Sequence, residues 1–282
     1  MAEIWRDLTP HERDGSQYAN VEEFGAFHPN AIQKILISLC KATILKRGLF
    51  RGRMTKFILA LGKGKLDIFF RNCAYRIYGE SNLIEYGLLL NSKYNKLDLD
   101  FLIEGAEQDA NFLDIGSNIG LYSLPLAKTA PKGKTVSIDA NPKMKARLEF
   151  NARASGLNNI AMVSSAVSDK AGNANLKIRK DDVAIVAVVE SKDGDIPIRT
   201  LQDIVKEQNL KSIYGLKIDI EGHEDRALVP FLMKAPDKLL PRRIVIEHPF
   251  ADQDYPGCVQ AFSAKGFKLI GRSRNNSFYL RS

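Results

Sequence analysis

The spacing of apolar positions changes character near residue 110. Ahead of that point, Ile32, Ile35, Leu36 and Leu39 recur at helical intervals, and Gly48 and Gly52 predict that the apolar stretch from 31 to 60 divides into two helices. The stretch "YRIYGESNLIEYGLLLNSKY" predicts another helix or two leading to the first buried strand. Residues 1 to about 30 are polar, carry aromatics without a period, and are expected to form a loose, draped segment. Beyond 110, short apolar runs alternate with amphipathic ones. "NFLDIG", "KTVSIDA", "IAMVSSAVS", "IYGLKIDI" and "RRIVIEHPF" read as strands, separated by helices such as "PKMKARLEFNARASG", "LQDIVKEQN" and "EDRALVPFLMKA". "NANLKIRKDDVAIVAVVES" and "DIPIRT" read as extra extended segments, an insertion or flap. The end reads as a hairpin turning at Arg274-Asn275-Asn276. Alternation of this kind predicts an α/β protein, a mostly parallel sheet with right-handed crossovers and one antiparallel strand at or near an edge.

Composition narrows this only a little. With 282 residues, 45% hydrophobic and 26% charged, the chain has material for one domain and a small appendage. Cys40, Cys73 and Cys258 are odd in number, far apart and without metal-ligand spacing, which suggests reduced thiols in a cytoplasmic protein. The first residues lack an apolar signal core, and no window approaches the roughly 20 apolar residues of a spanning helix. Charge changes the picture more. The formal net charge is +8, and between Glu23 and Asp67 no acid occurs while nine lysines and arginines do. Such a stretch favours acidic partners.

The most specific stretch is "FLDIGSNIGLYS". A strand ends at Asp114, two glycines follow at 116 and 120, and an apolar helix-like run comes next. A dinucleotide fingerprint spaces its glycines G-x-G-x-x-G to bring a pyrophosphate onto a helix. Here the spacing is G-S-N-I-G and a carboxylate stands at the strand end, which suits an ammonium group better than a pyrophosphate. Asp139, ending the next strand ahead of Ala140, is placed to accept hydrogen bonds from ribose hydroxyls. A ribose and an amino-acid ammonium without phosphates describe S-adenosylmethionine. Gly116, Ser117, Asn118 and Gly120 form the expected loop, Asp114 the ammonium partner or a plain helix cap, and Ser165 and Ala166, after the third strand, the adenine lining. A nicotinamide-dependent oxidoreductase is disfavoured by the same glycine spacing.

On these residues, together with "AVSDKAG", "IRTLQDI" and above all "LKIDIEGHE", the chain resembles the FkbM-type methyltransferases, a family of class I S-adenosylmethionine-dependent enzymes. The resemblance runs from about residue 80 to the end. It implies a Rossmann-like domain over 81–282 with a seven-stranded, mostly parallel sheet and a C-terminal antiparallel hairpin, preceded over 1–80 by an N-terminal segment and a basic helical extension. It also implies methylation of a hydroxyl, often on a sugar or natural-product scaffold. "IDANP" departs from the family, which more often has Glu at that point; Asp139 keeps the carboxylate.

Strand "YGLKIDI" puts Leu216, Ile218 and Ile220 on one face and Lys217, Asp219 and Glu221 on the other. Buried, such polar groups must be paired or have a job. Lys217 has a plain explanation as an internal salt bridge, and Glu224 as a first-turn residue favoured by the helix dipole. Methyl transfer to an alcohol is an in-line displacement that needs a base within hydrogen-bond reach. The expectation is that Asp219 or His223 takes the proton and that Glu221 and Glu247 orient acceptor hydroxyls. His248, in "IEHPF", is either a further catalytic imidazole or a loop residue before Pro249. A Mg²⁺ variant would draw oxygen ligands from Asp219, Glu221, Glu224 and Glu247, though their spacing is not diagnostic.

The basic stretch over 31–65 has three readings. The first is a helical cap whose apolar face packs on the domain, the second an interfacial element on anionic lipid, which would place the protein peripherally on the inner face of a membrane. The third is a phosphate- or nucleic-acid-binding surface, of which RNA is disfavoured by the lack of interleaved aromatics and of an N-P-P-Y-like motif after the fourth strand. The acceptor wall is expected from "DDVAIVAVVESKDGD", the helical extension and the loop after "IEHPF". Competing functions are an RNA methyltransferase and a non-catalytic S-adenosylmethionine- or glycan-binding module.

Overall fold

The computed structural model describes residues 5–9, 22–80, 82–180, 186–249 and 253–281. Within the draped segment expected over 1–30, residues 1–4 and 10–21 lie outside the described residues, as do part of the expected flap and part of the loop after "IEHPF".

A short strand, β1 (Trp5–Asp7), precedes helices α1 (Ala31–Ala42) and α2 (Gly48–Ala60). Asn30 starts α1 with a reciprocal cap: its side chain accepts from the Gln33 amide, while the Gln33 side chain accepts from the Asn30 amide. A 3₁₀ turn over Ile44–Lys46 divides the helices, so Gly48 opens α2 as expected. Gly52 stays inside α2. There it allows close approach, since a Cβ would lie 3.2 Å from the Tyr86 ring.

Of the apolar stripe read from the sequence, only Leu36 packs against the core. Gln33, Ile37 and Cys40 are the buried residues of α1, whereas Ile32, Ile35 and Leu39 are 61%, 67% and 50% exposed. The inward face is chosen by contact with α2, where Gln33 donates to the Ile58 carbonyl at 2.7 Å.

The chain next forms a hairpin, β2 (Leu66–Phe70) and β3 (Cys73–Ile77), turning through Arg71 and Asn72, both at positive φ as a two-residue primed turn requires. This corrects the helical reading of "YRI". The hairpin is anchored by a buried ion pair, Arg76 to Asp67 at 2.7 Å, whose guanidinium also donates to the Glu22 and Glu23 carbonyls. Helices α3 (Leu83–Leu90) and α4 (Lys96–Ile103) then lead to the main sheet.

That sheet takes β4 (Phe112–Ile115), β5 (Thr135–Asp139), β6 (Ile160–Ser164), β11 (Gly215–Ile218), β12 (Arg243–Glu247), β13 (Phe267–Arg272) and β14 (Asn276–Arg281). Their spatial order is β13-β14-β12-β11-β4-β5-β6, parallel from β6 to β12, with β14 antiparallel to β12 and β13 on the rim. The first strand is central and the order reverses beside it, so a crevice opens between the carboxyl ends of β4 and β11. Helices α5 (Ser123–Thr129) and α6 (Pro142–Ala154) share one core with α4 and the extension. Helices α7 (Leu201–Glu207), α8 (Glu224–Lys234) and α9 (Pro256–Ala264) close the other face.

The extra extended segments form a second sheet over the carboxyl end of the first: β7 (Ala166–Val167), β8 (Gly172–Arg179), β9 (Val186–Glu190) and β10 (Ile196–Arg199), with β1 paired to β8. All three cysteines are buried and free. Among the described residues, no helix is long and apolar enough to cross a membrane.

Candidate active site

A cavity of about 330 Å³ opens where β4, β5, β6, β11 and β12 end. Its floor is the glycine loop. Gly116 has φ +80°, and a Cβ there would stand 1.9 Å from the Asp219 carbonyl, so only glycine lets the loop cross the end of β11. Asn118, left-handed at φ 49°, donates its amide to Asp139 Oδ2 at 2.7 Å; the Asn141 amide meets Oδ1 at 2.8 Å. Asp139 is thus fixed at the cavity wall with acceptor capacity to spare. Burial raises its carboxyl to about 6, the two amides only partly offsetting this.

Gly116, Asn118, Asp139, Ala140, Ser165 and Ala166 all line the cavity, as expected. Asp114, Ser117 and Gly120 do not. Asp114 is wholly buried, because strand alternation turns it beneath the loop. There it lies in register with Ser137 on one side and Lys217 on the other, and accepts a hydrogen bond from Ser123, which in turn receives one from Ser137 at 2.7 Å. Burial lifts Asp114 to about 6. It therefore has no exposed atom for a ligand ammonium and instead ties the loop helix to the sheet. Ser117 packs under the loop, and the Gly120 position faces Leu124 and Leu148.

Opposite Asp139, the end of β11 supplies the acids. Lys217 is buried, with Nζ 3.2 Å from Asp219 and 5.2 Å from the Tyr122 ring centre. The internal salt bridge is thus its role. Asp219 reaches the cavity and hydrogen-bonds Glu247 from β12. Burial and the Asp219 charge push Glu247 up to about 9, so at neutral pH it carries the proton and donates. Burial alone would raise Asp219 too, but Lys217 and the bond from Glu247 hold it below its ordinary value.

Glu221, at φ 55°, joins these two, and the three carboxyls lie within 4.8 Å of one another. Glu224 does not join them. As the first residue of α8 it is buried, accepting the Ile220 amide at 2.8 Å and the Gly222 amide at 2.9 Å, which braces the loop that presents the acids. Three of the four ligands named for Mg²⁺ therefore converge, with Lys217 already supplying a countercharge beneath them.

His223 lines the cavity. His248 does not: β12 ends at Glu247, the next side chain turns away and is buried, and its backbone amide bonds the Asn275 carbonyl. Distant segments complete the wall. Arg51 from α2, Leu83 from α3, Tyr94, and Val186, Val188 and Glu190 from β9 all border the cavity. Sequence patterns indicated the extension and the flap without naming these residues, because only tertiary packing decides which side chain of a helix meets the mouth.

The polar donors fit S-adenosylmethionine. Ser165 Oγ and Asn141 Nδ2 are buried without a partner beside Asp139, and Ile138, Ala140 and Ala166 offer apolar surface for a flat base. Strand order, glycine loop and strand-end acids together define a class I S-adenosylmethionine-dependent methyltransferase. The model of the methyltransferase FkbM domain matches residues 114–269, more than half of the chain, and the chain belongs to that family.

No curated protein matches. Solved structures with a similar course of chain include TYW2 of M. jannaschii in complex with AdoMet (12% identity, 78% of this chain and 87% of that one, TM-score 0.42). Another is precorrin-6y C5,15-methyltransferase of Geobacter metallireducens GS-15 (12%, 68% and 89%, 0.44). A third is the METTL16 methyltransferase domain (12%, 82% and 78%, 0.44).

Proposed function

We propose that the protein transfers a methyl group to a hydroxyl of a sugar-containing acceptor, a glycan, glycolipid or natural product. The observation that carries this reading is the Asp219–Glu247 pair on the cavity wall, one carboxyl ionised and its neighbour protonated, with Glu221 alongside. An alcohol must shed its proton as the methyl arrives, and an ionised carboxylate within hydrogen-bond reach serves that purpose. Protonated Glu247 and the Glu221 carboxylate together offer a donor and acceptors, which matches the adjoining hydroxyls of a sugar.

S-adenosylmethionine supplies the electrophilic methyl when bound. Asp139 and the 116–118 loop hold its nucleoside end in this reading, with Ser165 and Ala166 against the base. Asp219 takes the hydroxyl proton; Lys217 stabilises the ionised state of Asp219 before transfer. His223, on the same wall, is the alternative base.

The test is methyl incorporation from labelled S-adenosylmethionine into sugar-containing acceptors by the purified protein. Asp219→Asn is expected to lower turnover by about 10²- to 10⁴-fold, the usual worth of a general base, with S-adenosylhomocysteine affinity retained. Full turnover in both Asp219→Asn and His223→Ala would overturn the assignment, and label recovered in RNA instead would overturn the acceptor.

A further inference from the structure

Eight of the fifteen large apolar side chains exposed among the described residues lie between Ile32 and Phe69. They are not scattered. Ile32, Ile35 and Leu39 share one side of α1, and Phe50 and Phe57, two turns apart, share one side of α2. On α2 that stripe is flanked by Arg53 and Lys56, and the span from 24 to 66 carries no acid. Among the described residues, Lys34, Arg47, Arg53 and Lys56 make no ion pair. Exposed aliphatic and aromatic side chains bordered by unneutralised cations are the makings of an interfacial surface. A second protein copy would bring the same cations against themselves, and base stacking on RNA would waste the aliphatic residues.

We infer that α1 and α2 dock on an anionic lipid bilayer, with Ile35, Leu39, Phe50 and Phe57 entering the headgroup boundary and the lysines and arginines meeting lipid phosphates. The surface runs into the active site. Leu83 is both 39% exposed and part of the cavity wall, and α2 also sends Arg51 to that wall, its Nε buried without a partner. Docked in this way, the cavity mouth opens at the bilayer surface, where a lipid-borne acceptor presents its headgroup. The docking itself is independent of whether the methyl goes to a sugar hydroxyl.

The test is sedimentation of the full chain with phosphatidylcholine vesicles, with and without phosphatidylglycerol, beside calorimetric titration with S-adenosylhomocysteine. Binding is expected only to the phosphatidylglycerol vesicles and to weaken as salt rises. The double variant Phe50→Ser/Phe57→Ser and the double variant Arg53→Glu/Lys56→Glu are each expected to lose roughly tenfold or more of that binding. Both variants keep their S-adenosylhomocysteine affinity, which shows that they fold. Absence of vesicle binding, or binding that neither variant changes, overturns the proposal. So does a concentration-dependent dimer that the phenylalanine variant dissolves, or RNA binding that the charge variant abolishes while vesicles are ignored. Failure to bind S-adenosylhomocysteine in the parent chain would strike the cofactor reading and leave the vesicle result standing.

Discussion

Asp219, just past the end of β11, and Glu247, at the end of the adjacent β12, stand side by side, and one proton between them sets the pH behaviour expected of the site. Glu247 stays protonated up to about 9. Asp219 is held below the ordinary range, so it stays ionised through neutrality. With the cofactor saturating, the rate of methyl transfer should therefore be level across neutrality and fall above about 9. Glu247→Gln should remove that upper limb in a pH profile of kcat/KM. Turnover kept by Asp219→Asn but lost in His223→Ala would move the base role to His223. Asp139 gives the opposite dependence on the cofactor side. Burial raises it to about 6, and a ligand hydroxyl prefers its ionised form. S-adenosylhomocysteine should accordingly bind more weakly as pH falls through about 6, and Asp139→Ala should abolish binding at any pH, as calorimetry can read. Gly116→Ala is the sharpest steric probe. With φ at +80° and the Asp219 carbonyl 1.9 Å from the new Cβ, the loop must shift, at about 1 to 3 kcal/mol of strain and with loss of cofactor affinity. Asp139, Asp219, Glu221, Glu247, Gly116 and Asn118 were legible as cavity lining because they sit in contiguous motifs at strand ends. Asp114 and His248 were not, since facing a ligand depends on which way one side chain turns.

Among elements, the β2–β3 hairpin shows best what local pattern hides. Its turn is Arg71-Asn72, without the glycine that usually signals a primed turn, and its strands are five residues each. What holds it is a cross-strand ion pair, Asp67 with Arg76, together with a long-range bond from the Arg76 amide to Asn151 of α6 at 3.0 Å. Asp67→Ala leaves a guanidinium buried and unpaired, and should cost about 3 to 5 kcal/mol in denaturant unfolding. Burial alone would raise the Asp67 carboxyl, but Arg76 and the Gly25 and Phe27 amides hold it low. A depressed native value means its contribution is full above the unfolded value, near 3.9, and fades as pH falls through the native one. Acid unfolding of the parent should thus be steeper than that of the variant. Helix α1 was legible as amphipathic, but its orientation was not. Four apolar residues at helical spacing say that a face exists, while contact with α2 selects Gln33, Ile37 and Cys40 as the inward one.

For the molecule as a whole, the alternation of strands and helices after residue 110 was enough to read the sheet, because its strands follow one another in parallel from β4 to β6 and from β11 to β12. The second sheet was legible only as extended segments, since β7 pairs with the more distant β10 and β8 with β1 from the far N-terminal side. The strand order has one consequence for how the chain comes into being. β14 lies between β12 and β13, yet it is made after both. While the ribosome is still adding residues 248 to 275, β12 is an open edge, and β13, once made, has no neighbour to join. The sheet cannot close progressively from its first strand to its last; it closes when the final hairpin wedges in as a unit. A stalled nascent chain ending before residue 276 should therefore remain sensitive to protease and to chaperone capture, and one that exposes Asn276–Arg281 beyond the ribosome should become resistant in a single step.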